Sequence, residues 1–391
     1  MGRLGWPFVA QRGLAAGARE TVSCFISSQY SRSLRPETSL CGVDGDSAIA
    51  VYCRPLPPTS ATKIKRRGTA SLASFLTTGR TPRDVPPMMI PVAALVQVAL
   101  RLGLAKPIVR AFLARAGSES LQRKAFAGFE PTHHDVFVTT FAKSGTNWMM
   151  QIAQQIAHRG GAEFGHIHDL VAWPDAPFRA STSLEDLRAI DRSPTGLRVI
   201  KTHMATQYVP YREDATYLTV LRDPKEVVVS SYHFLLGVVG ATRYVTPGEW
   251  YEMVNRPDLL LGKWAEHTAS FWEWRDRENV LVLTYSEAKD NPRDCIERVA
   301  KTMGVALEPA EFEKVVELSS FRWMKAHESK FGPPRMPFVK EGAAMIRRGQ
   351  AGASDEMLDR AQQIGIDEMC RAELDRLGSS FPYEAAFVQA K

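Results

Sequence analysis

The sequence predicts an α/β fold in which a central, mostly parallel sheet is flanked by helices within a single domain. Two helix starts are well marked, because Asp223-Pro224 and Asn291-Pro292 each place a capping side chain before a proline at the first helical position. Four β-rich runs are each followed by a helical stretch, which is typical of parallel strands joined by helical crossovers. These runs span residues 135–141, 198–202, 216–221 and 280–285.

An N-terminal extension, residues 1–87, precedes the folded part and is predicted to be disordered. It is rich in Ser, Arg, Gly and Pro and shows no sustained helix or strand period. Its first 40 residues contain five Arg, six Ser and two acidic residues, a bias typical of organelle transit peptides. A wrongly assigned start upstream of Met88 or Met89 explains the same composition, and the sequence leaves both interpretations open.

The rest of the chain divides into a helical lead-in over residues 88–121 and one domain of 270 residues over 122–391. The apolar stretch 88–100 has 13 residues, whereas a membrane span needs about 20, so no transmembrane span is expected. We interpret this stretch as an amphipathic helix, with packing on the core favoured over a membrane surface. The last long helix is expected to begin at Ser354-Asp355.

Charge and metal-ligand content argue against several classes of partner. Residues 1–85 carry 12 Lys or Arg against 5 Asp or Glu, a balance of +7, while the whole chain has a net charge of +6. The basic character therefore belongs to the extension, and no nucleic-acid partner is expected. The five cysteines are widely spread without a C-x-x-C pair, so we expect reduced thiols and no metal. A cytoplasmic location is favoured, with organelle targeting as the alternative.

A short turn after the first β-rich run has the composition of an anion site. Lys143, Ser144, Gly145 and Thr146 close an apolar run and open a predicted helix. Backbone N–H groups at a helix start, together with one ammonium, favour a phosphate or a related anion. The lysine precedes the only glycine, which is the wrong order for a Walker A loop. A plain strand-to-helix turn with a solvated lysine is the alternative.

Two further strand ends carry groups that suit chemistry on anions. Lys201 and His203 follow the second run, at the edge of an α/β sheet where ligand sites gather. A neutral imidazole there could act as a base, although a structural histidine is the alternative. Arg222 follows the third run, and Ser230 comes eight residues later, just over two helical turns away. The two could share a phosphate, unless Arg222 only pairs with a nearby carboxylate such as Glu226.

These motifs, in this order and spacing, resemble the cytosolic sulfotransferase family over roughly residues 122–385. The similarity continues beyond the three motifs above through several shorter matches. They are Gly262-x-Trp264-x-x-His267, then residues 280–285 ending in Tyr285, then Ser319-Ser-Phe321-x-x-Met324, and finally Arg347-Arg348-Gly349.

The resemblance implies a P-loop-like fold and an enzyme that uses 3′-phosphoadenosine-5′-phosphosulfate (PAPS) to sulfonate a small-molecule acceptor. It implies that His203 is the catalytic base and that Lys201 lies beside the transferring sulfonate. Lys143 would serve both catalysis and nucleotide binding. The implied nucleotide-binding residues are Lys143, Ser144, Gly145, Thr146, Asn147 and Trp148 around the 5′-phosphosulfate and adenine, Arg222, Ser230, Arg347, Arg348 and Gly349 around the 3′-phosphate, and Tyr285, Ser319, Phe321 and Met324 on the adenine side.

The charges fit this expectation, since a nucleotide phosphorylated at both ends of its ribose needs two cationic clusters. Lys143 with Lys201 would form one, and Arg222 with the Arg347-Arg348 pair the other. Positioned lysines and backbone donors can supply the electrostatic stabilisation, so no metal is expected. The rival functions are a P-loop kinase acting on a small hydroxyl compound and a relative that binds the nucleotide without turnover.

The sequence defines the acceptor pocket and the oligomeric state less well than the nucleotide site. Phe141, Trp173, His233 and Phe234 are the candidates for an acceptor pocket tolerant of aromatic groups, which weakly favours a hydrophobic alcohol or phenol. No clear copy of the family's short dimerisation motif is found near the C terminus. The oligomeric state therefore stays open, with a homodimer as one of the alternatives.

Overall fold

The computed structural model describes residues 98–176, 182–237, 240–332, 345–346, 352 and 354–388. The predicted extension (1–87), the first part of the apolar stretch and the Arg347-Arg348-Gly349 motif lie outside these residues. Cys295 and Cys370 are buried free thiols. In the described part of the chain, no helix has both the length and the apolar character needed to cross a membrane.

A four-stranded parallel sheet forms the centre of the domain and confirms the predicted fold class. The strand order is β2-β1-β3-β4. Val138 of β1 is in register with Lys201 of β2 and with Leu218 of β3. All strands therefore end at one edge of the sheet. The strands are β1 (Asp135–Val138), β2 (Arg198–Lys201), β3 (Thr216–Leu221) and β4 (Val280–Thr284), so three of them end earlier than the sequence predicted.

The helices surround this sheet. Short 3-10 turns occur at Ile167–Asp169, Thr206–Tyr208, Glu328–Lys330 and Ser354–Glu356, and a π turn at Tyr232–Leu236. The α-helices described are α1 (Ala105–Ala116), α2 (Glu119–Ala125), α3 (Thr146–Ala157), α4 (Arg188–Arg192), α5 (Pro224–Ser231), α6 (Pro247–Val254), α7 (Leu260–Trp274), α8 (Tyr285–Asp290), α9 (Pro292–Thr302), α10 (Pro309–Leu318), α11 (Phe321–Ala326), α12 (Arg360–Arg376) and α13 (Tyr383–Phe387).

The helix starts agree with the sequence to different degrees. At α5 the Asp223 carboxylate accepts a hydrogen bond from the Lys225 N–H, with Pro224 at the first helical position, as predicted. At α9 the proline is in place, but the Asn291 side chain makes no capping bond. The predicted start of the last long helix at Ser354-Asp355 is wrong.

Residues 354–356 form only a single 3-10 turn, and α12 begins at Arg360. The stronger cap lies five residues later than the predicted one. The Asp359 carboxylate accepts from the Gln362 N–H, and the Gln362 side chain accepts from the Asp359 N–H. This reciprocal pair satisfies two helix-end donors at once, which explains why the helix begins there.

Apolar clusters cover both faces of the sheet. One cluster packs α3, α9 and α10 against side chains of β1 and β3, including Val136 and Leu218. A second cluster, which includes Phe137 of β1, covers the opposite face. A third cluster joins α5, α7 and α12 around Trp250 and Trp264, which are fully buried. With both faces covered, the edge formed by the carboxyl ends of the strands is the place left for a ligand, as in other open α/β sheets.

We predict that Asp135→Ala lowers the free energy of unfolding by about 3–5 kcal/mol, because it leaves a buried guanidinium without its partner. The Arg198 Nε lies 2.6 Å from the Asp135 Oδ1, with both side chains buried at the start of β1 and β2. Urea denaturation measures the change. Glu119→Ala removes an exposed ion pair with Arg123 and serves as the control, with an expected loss of about 0.5 kcal/mol or less. Equal losses in the two variants would contradict this assignment.

Candidate active site

The turn between β1 and α3 has the backbone shape of an anion-binding turn. Lys143 and Gly145 both have left-handed φ angles, of 70° and 96°. The Ser144 N–H donates to the Phe141 carbonyl over 3.1 Å, which closes the turn directly before α3. A Cβ on Gly145 would lie 3.1 Å from the Tyr285 ring, so both the φ angle and the space favour glycine here.

Arg222, at the end of β3, holds this turn in place. Its Nη1 donates to the Lys143 carbonyl over 2.8 Å, and its Nε donates to the Glu226 carboxylate over 2.8 Å. The guanidinium carbon lies 4.3 Å from the centre of the Tyr285 ring. Arg222 does pair with Glu226, as the alternative interpretation expected. It is nevertheless mostly buried, with 14% of its side chain exposed, and it connects two of the predicted motifs.

Two buried ammonium groups come together at the carboxyl ends of β1 and β2. The Lys143 Nζ lies 3.9 Å from the centre of the Phe234 ring, and the Lys201 Nζ lies 3.3 Å from the centre of the Trp173 ring. Burial lowers the pKa of both lysines to about 7. The charge of Arg222 contributes to this shift at Lys143, and the charge of Lys143 contributes to it at Lys201. The site therefore favours an anion.

His203 is fixed in the tautomer that a base requires. Its Nδ1 lies 2.8 Å from the Thr140 carbonyl oxygen. Because a carbonyl only accepts, Nδ1 carries the proton and Nε2 keeps its lone pair. Burial lowers the pKa of His203 well below its ordinary value, and the charge of Lys201 lowers it further. The ring is therefore neutral at pH 7.

Asp175 belongs to the same centre, although sequence reasoning missed it. Its Oδ2 accepts from the His203 backbone N–H over 3.0 Å. Burial raises the pKa of this carboxyl, and the His203 N–H opposes that shift. The preceding segment follows β2, because Ala172 forms a parallel bridge to Ile200. An acid after Trp173-Pro174 in a loop is a weak sequence signal, which is why it was not recognised.

A cavity of about 790 Å³ brings these groups into one space. Apolar side chains from the lead-in helices, such as Phe112 and Leu121, also line it. The Ser144 side chain is buried beneath the turn and is not part of the lining. Of the predicted site residues that are described, the lining includes Lys143, Gly145, Thr146, Asn147, Trp148, Lys201, His203, Arg222, Ser230, Tyr285, Ser319, Phe321 and Met324, together with the acceptor candidates Phe141, Trp173, His233 and Phe234.

The wall nearest α3 is built from aromatic and polar contacts. The Trp148 Nε1 donates to the Ser319 carbonyl over 2.9 Å, and its ring meets the Tyr285 ring edge-on with centres 6.2 Å apart. The Asn147 side chain donates to the Phe331 carbonyl over 3.0 Å. The hydroxyls of Ser144 and Ser319 are buried without a hydrogen-bond partner among the described residues. The Ser319 hydroxyl, in the cavity lining, is thus available to a ligand, whereas that of Ser144 lies beneath the turn.

Comparison with known proteins defines the class of this protein. Residues 133–378, more than half of the chain, match the sulfotransferase domain family, and the chain belongs to that family. It is 28% identical to sulfotransferase 2A1 of Macaca fascicularis over 68% of this chain and 93% of that protein. It is 27% identical to human sulfotransferase 1C2 over 66% of this chain and 88% of that protein.

Solved structures support the same fold. Retinol dehydratase in complex with androsterone and the inactive cofactor PAP matches with a TM-score of 0.52 and 17% identity, over 67% of this chain and 87% of that one. Mouse sulfotransferase SULT7A1 complexed with PAP matches with a TM-score of 0.50 and 19% identity, over 67% of this chain and 95% of that one.

We predict that His203 stays neutral, with its proton on Nδ1, at pH 6. An unperturbed histidine is mostly charged at that pH, whereas burial and Lys201 disfavour the charged ring here. Nitrogen-15 NMR of labelled histidines measures both the charge and the tautomer, and the His203→Gln variant assigns the signal. A charged ring at pH 6, or a proton on Nε2, would show that the Thr140 contact does not control this histidine.

Proposed function

We propose that this protein transfers the sulfonate group of PAPS to a hydroxyl or amine of a hydrophobic small molecule. The observation that carries the proposal is the arrangement of Lys143, Lys201 and Arg222 around one neutral imidazole in a single cavity. Membership of the sulfotransferase family supports the reaction type. The PAP named with the retinol dehydratase and mouse SULT7A1 structures supports the choice of nucleotide.

The residues present fit such a nucleotide. Lys143 with the backbone of its turn would hold the 5′ group, while Arg222 and Ser230 would hold the 3′-phosphate. The buried hydroxyl of Ser319, which lines the cavity, has no hydrogen-bond partner among the described residues and is available to the nucleotide. Arg347, Arg348 and Gly349 are predicted to complete the 3′-phosphate site.

The described side chains have separate roles in the proposed reaction. Bound PAPS supplies an electrophilic sulfonate and a phosphate leaving group. His203 accepts the proton of the attacking hydroxyl or amine on Nε2, because Nδ1–H is committed to the Thr140 carbonyl. Lys143 and Lys201 place positive charge where negative charge develops, in a site largely shielded from water.

The acceptor is proposed to be hydrophobic because of the remaining cavity wall. Phe112, Leu113 and Leu121 from the lead-in helices, with Phe141 and Phe234, leave an apolar space beside His203. Pockets of this kind select ligands by apolar burial and orient them with a few polar groups. The name of the 3-beta-hydroxysteroid sulfotransferase of Cavia porcellus, 26% identical to this chain, points to a hydroxyl on an apolar ring system.

The proposal is tested by measuring whether label carried by PAPS or by ATP is transferred to a panel of phenols, alcohols and amines. We expect product from labelled PAPS without added metal and none from labelled ATP with magnesium. Transfer from ATP would favour a kinase. Tight binding of PAP with no transfer to any acceptor would favour a relative without turnover.

We predict that His203→Ala lowers kcat by about 10²–10⁴-fold, the usual contribution of a general base. PAP affinity should change by less than about two-fold, since a neutral ring adds little to anion binding. Steady-state kinetics and calorimetry measure the two effects. His134→Ala is the matched control, because His134 bonds to the Gly196 carbonyl at the opposite end of β1 and should retain full activity. An active His203→Ala variant would overturn the role of this histidine.

We predict that PAP binding at pH 8 takes up protons, approaching about two per nucleotide. Lys143 and Lys201 have pKa values of about 7 in the free protein and are mostly neutral at pH 8, and a bound anion raises both. Calorimetry in HEPES and Tris, which differ in ionisation enthalpy, measures the uptake. Lys143→Met should remove about one proton. Binding without uptake would place the nucleotide away from these lysines.

A further inference from the structure

We propose that Gln122 is a specificity-determining residue of the acceptor pocket, which selects hydrophobic acceptors that carry a second hydroxyl remote from the one that reacts. The inference rests on the proposed function, because it names the acceptor class of the same cavity. It comes from a side-chain amide on α2 whose oxygen is buried without a hydrogen-bond partner in the described part of the chain. The family motifs identified in the sequence do not include this residue.

The position of Gln122 is fixed by the packing of α2 against the core. Phe126 follows the last residue of this helix and comes four residues after Gln122, so the two lie on one side of the helix. The Phe126 ring is buried, and its centre lies 5.9 Å from that of the Phe137 ring in β1. The same cluster contains Met204, the residue after His203. The side of α2 that carries Gln122 therefore faces the segment that follows β2.

This segment also brings Gln122 within reach of a ligand at His203. The 3-10 turn Thr206–Tyr208 begins three residues after His203, and three residues span at most about 11 Å. The centre of the Tyr208 ring lies 5.8 Å from the guanidinium carbon of Arg123, the residue after Gln122. Gln122, Tyr208 and His203 all line the cavity. An acceptor of several rings, with its reacting hydroxyl at His203, can therefore extend to Gln122.

The cavity wall around Gln122 is otherwise apolar or already paired. α1 and α2 contribute apolar side chains such as Phe112 and Leu121. The polar residues that α7 contributes, Lys263 and Glu266, bind each other, with 2.7 Å between the Lys263 Nζ and the Glu266 carboxylate. Among the cavity-lining residues of these three described helices, Gln122 alone has a buried side-chain atom, Oε1, without a hydrogen-bond partner.

An unpaired amide oxygen in this position favours a ligand that donates a hydrogen bond. A buried acceptor without a partner is unfavourable, and a ligand hydroxyl that donates to it removes that penalty. The same hydroxyl can accept from the Gln122 Nε2, because a side-chain amide carries both kinds of group. An acceptor with only hydrogens at that position leaves the amide oxygen unpaired. The pocket should therefore prefer the acceptor with the second hydroxyl.

The first experiment uses two steroids that differ at a single carbon. Reduction of the androsterone ketone gives a diol, and the reference steroid has only hydrogens at that carbon. Equilibrium dialysis measures the binding of both, with and without PAP, to the wild type and to Gln122→Leu, and the four affinities form a double-mutant cycle. We expect the wild type to bind the diol about three- to ten-fold more tightly, and Gln122→Leu to bind both steroids alike.

Leu121→Ala is the matched control for this cycle. It removes apolar surface from the same wall and should weaken both steroids equally, so the preference for the diol is retained. Gln122→Met replaces Gln122→Leu if the latter does not fold. The proposal is overturned if the wild type binds the two steroids equally or binds neither, or if Gln122→Leu keeps the preference for the diol.

The second experiment measures sulfonation kinetics with the same two steroids. We expect Gln122→Leu to lower kcat/KM for the diol about three- to ten-fold more than for the reference steroid. An equal fall for both would make Gln122 a structural residue and overturn the proposal. A wild type that prefers the diol in binding but transfers no sulfonate would refute the proposed function, and the binding cycle would still decide the role of Gln122.

Discussion

The burial of two ammonium groups, Lys143 and Lys201, in one cavity is the constraint on which the rest of the site depends. Burial lowers both pKa values from 10.5 to about 7. Unfolding restores the ordinary value, so between pH 7 and 10.5 the unfolded chain binds more protons and stability rises with pH. Below about pH 7 both states are protonated, and the buried charges destabilise the free protein by a constant amount. A bound polyanion offsets this destabilisation by pairing with the two ammonium groups. The same buried charges therefore lower the stability of the free protein and favour anionic ligands.

The fold makes this arrangement possible because parallel strands end together. β1, β2 and β3 are in register, so the loops that follow them converge on one edge of the sheet. Arg222, following β3, bonds to the backbone of the turn after β1, and the Thr140 carbonyl of that turn holds the ring of His203 after β2. Groups far apart in sequence are thus fixed by direct bonds between neighbouring strand ends.

Local chemistry explains what the sequence could predict. The parallel sheet, the Asp223-Pro224 helix start and the lysine turn each follow from short patterns. Asp175 could not be found in this way, because its contact with the His203 N–H is made by a loop that the bridge between Ala172 and Ile200 places beside β2, and only the folded chain forms that bridge. The helix start predicted at Ser354 was wrong because two local signals competed, and the reciprocal cap at Asp359 prevailed. The tautomer of His203 likewise depends on a backbone carbonyl that no side-chain pattern reveals.

The most direct test of the account is a crystal structure of the protein with PAP bound. The account predicts the 5′-phosphate at the Lys143 turn close to Lys201, the 3′-phosphate at Arg222 and Ser230, and the Nε2 of His203 directed toward the 5′ end. A nucleotide bound elsewhere, or with its 5′-phosphate away from both buried ammonium groups, would contradict it.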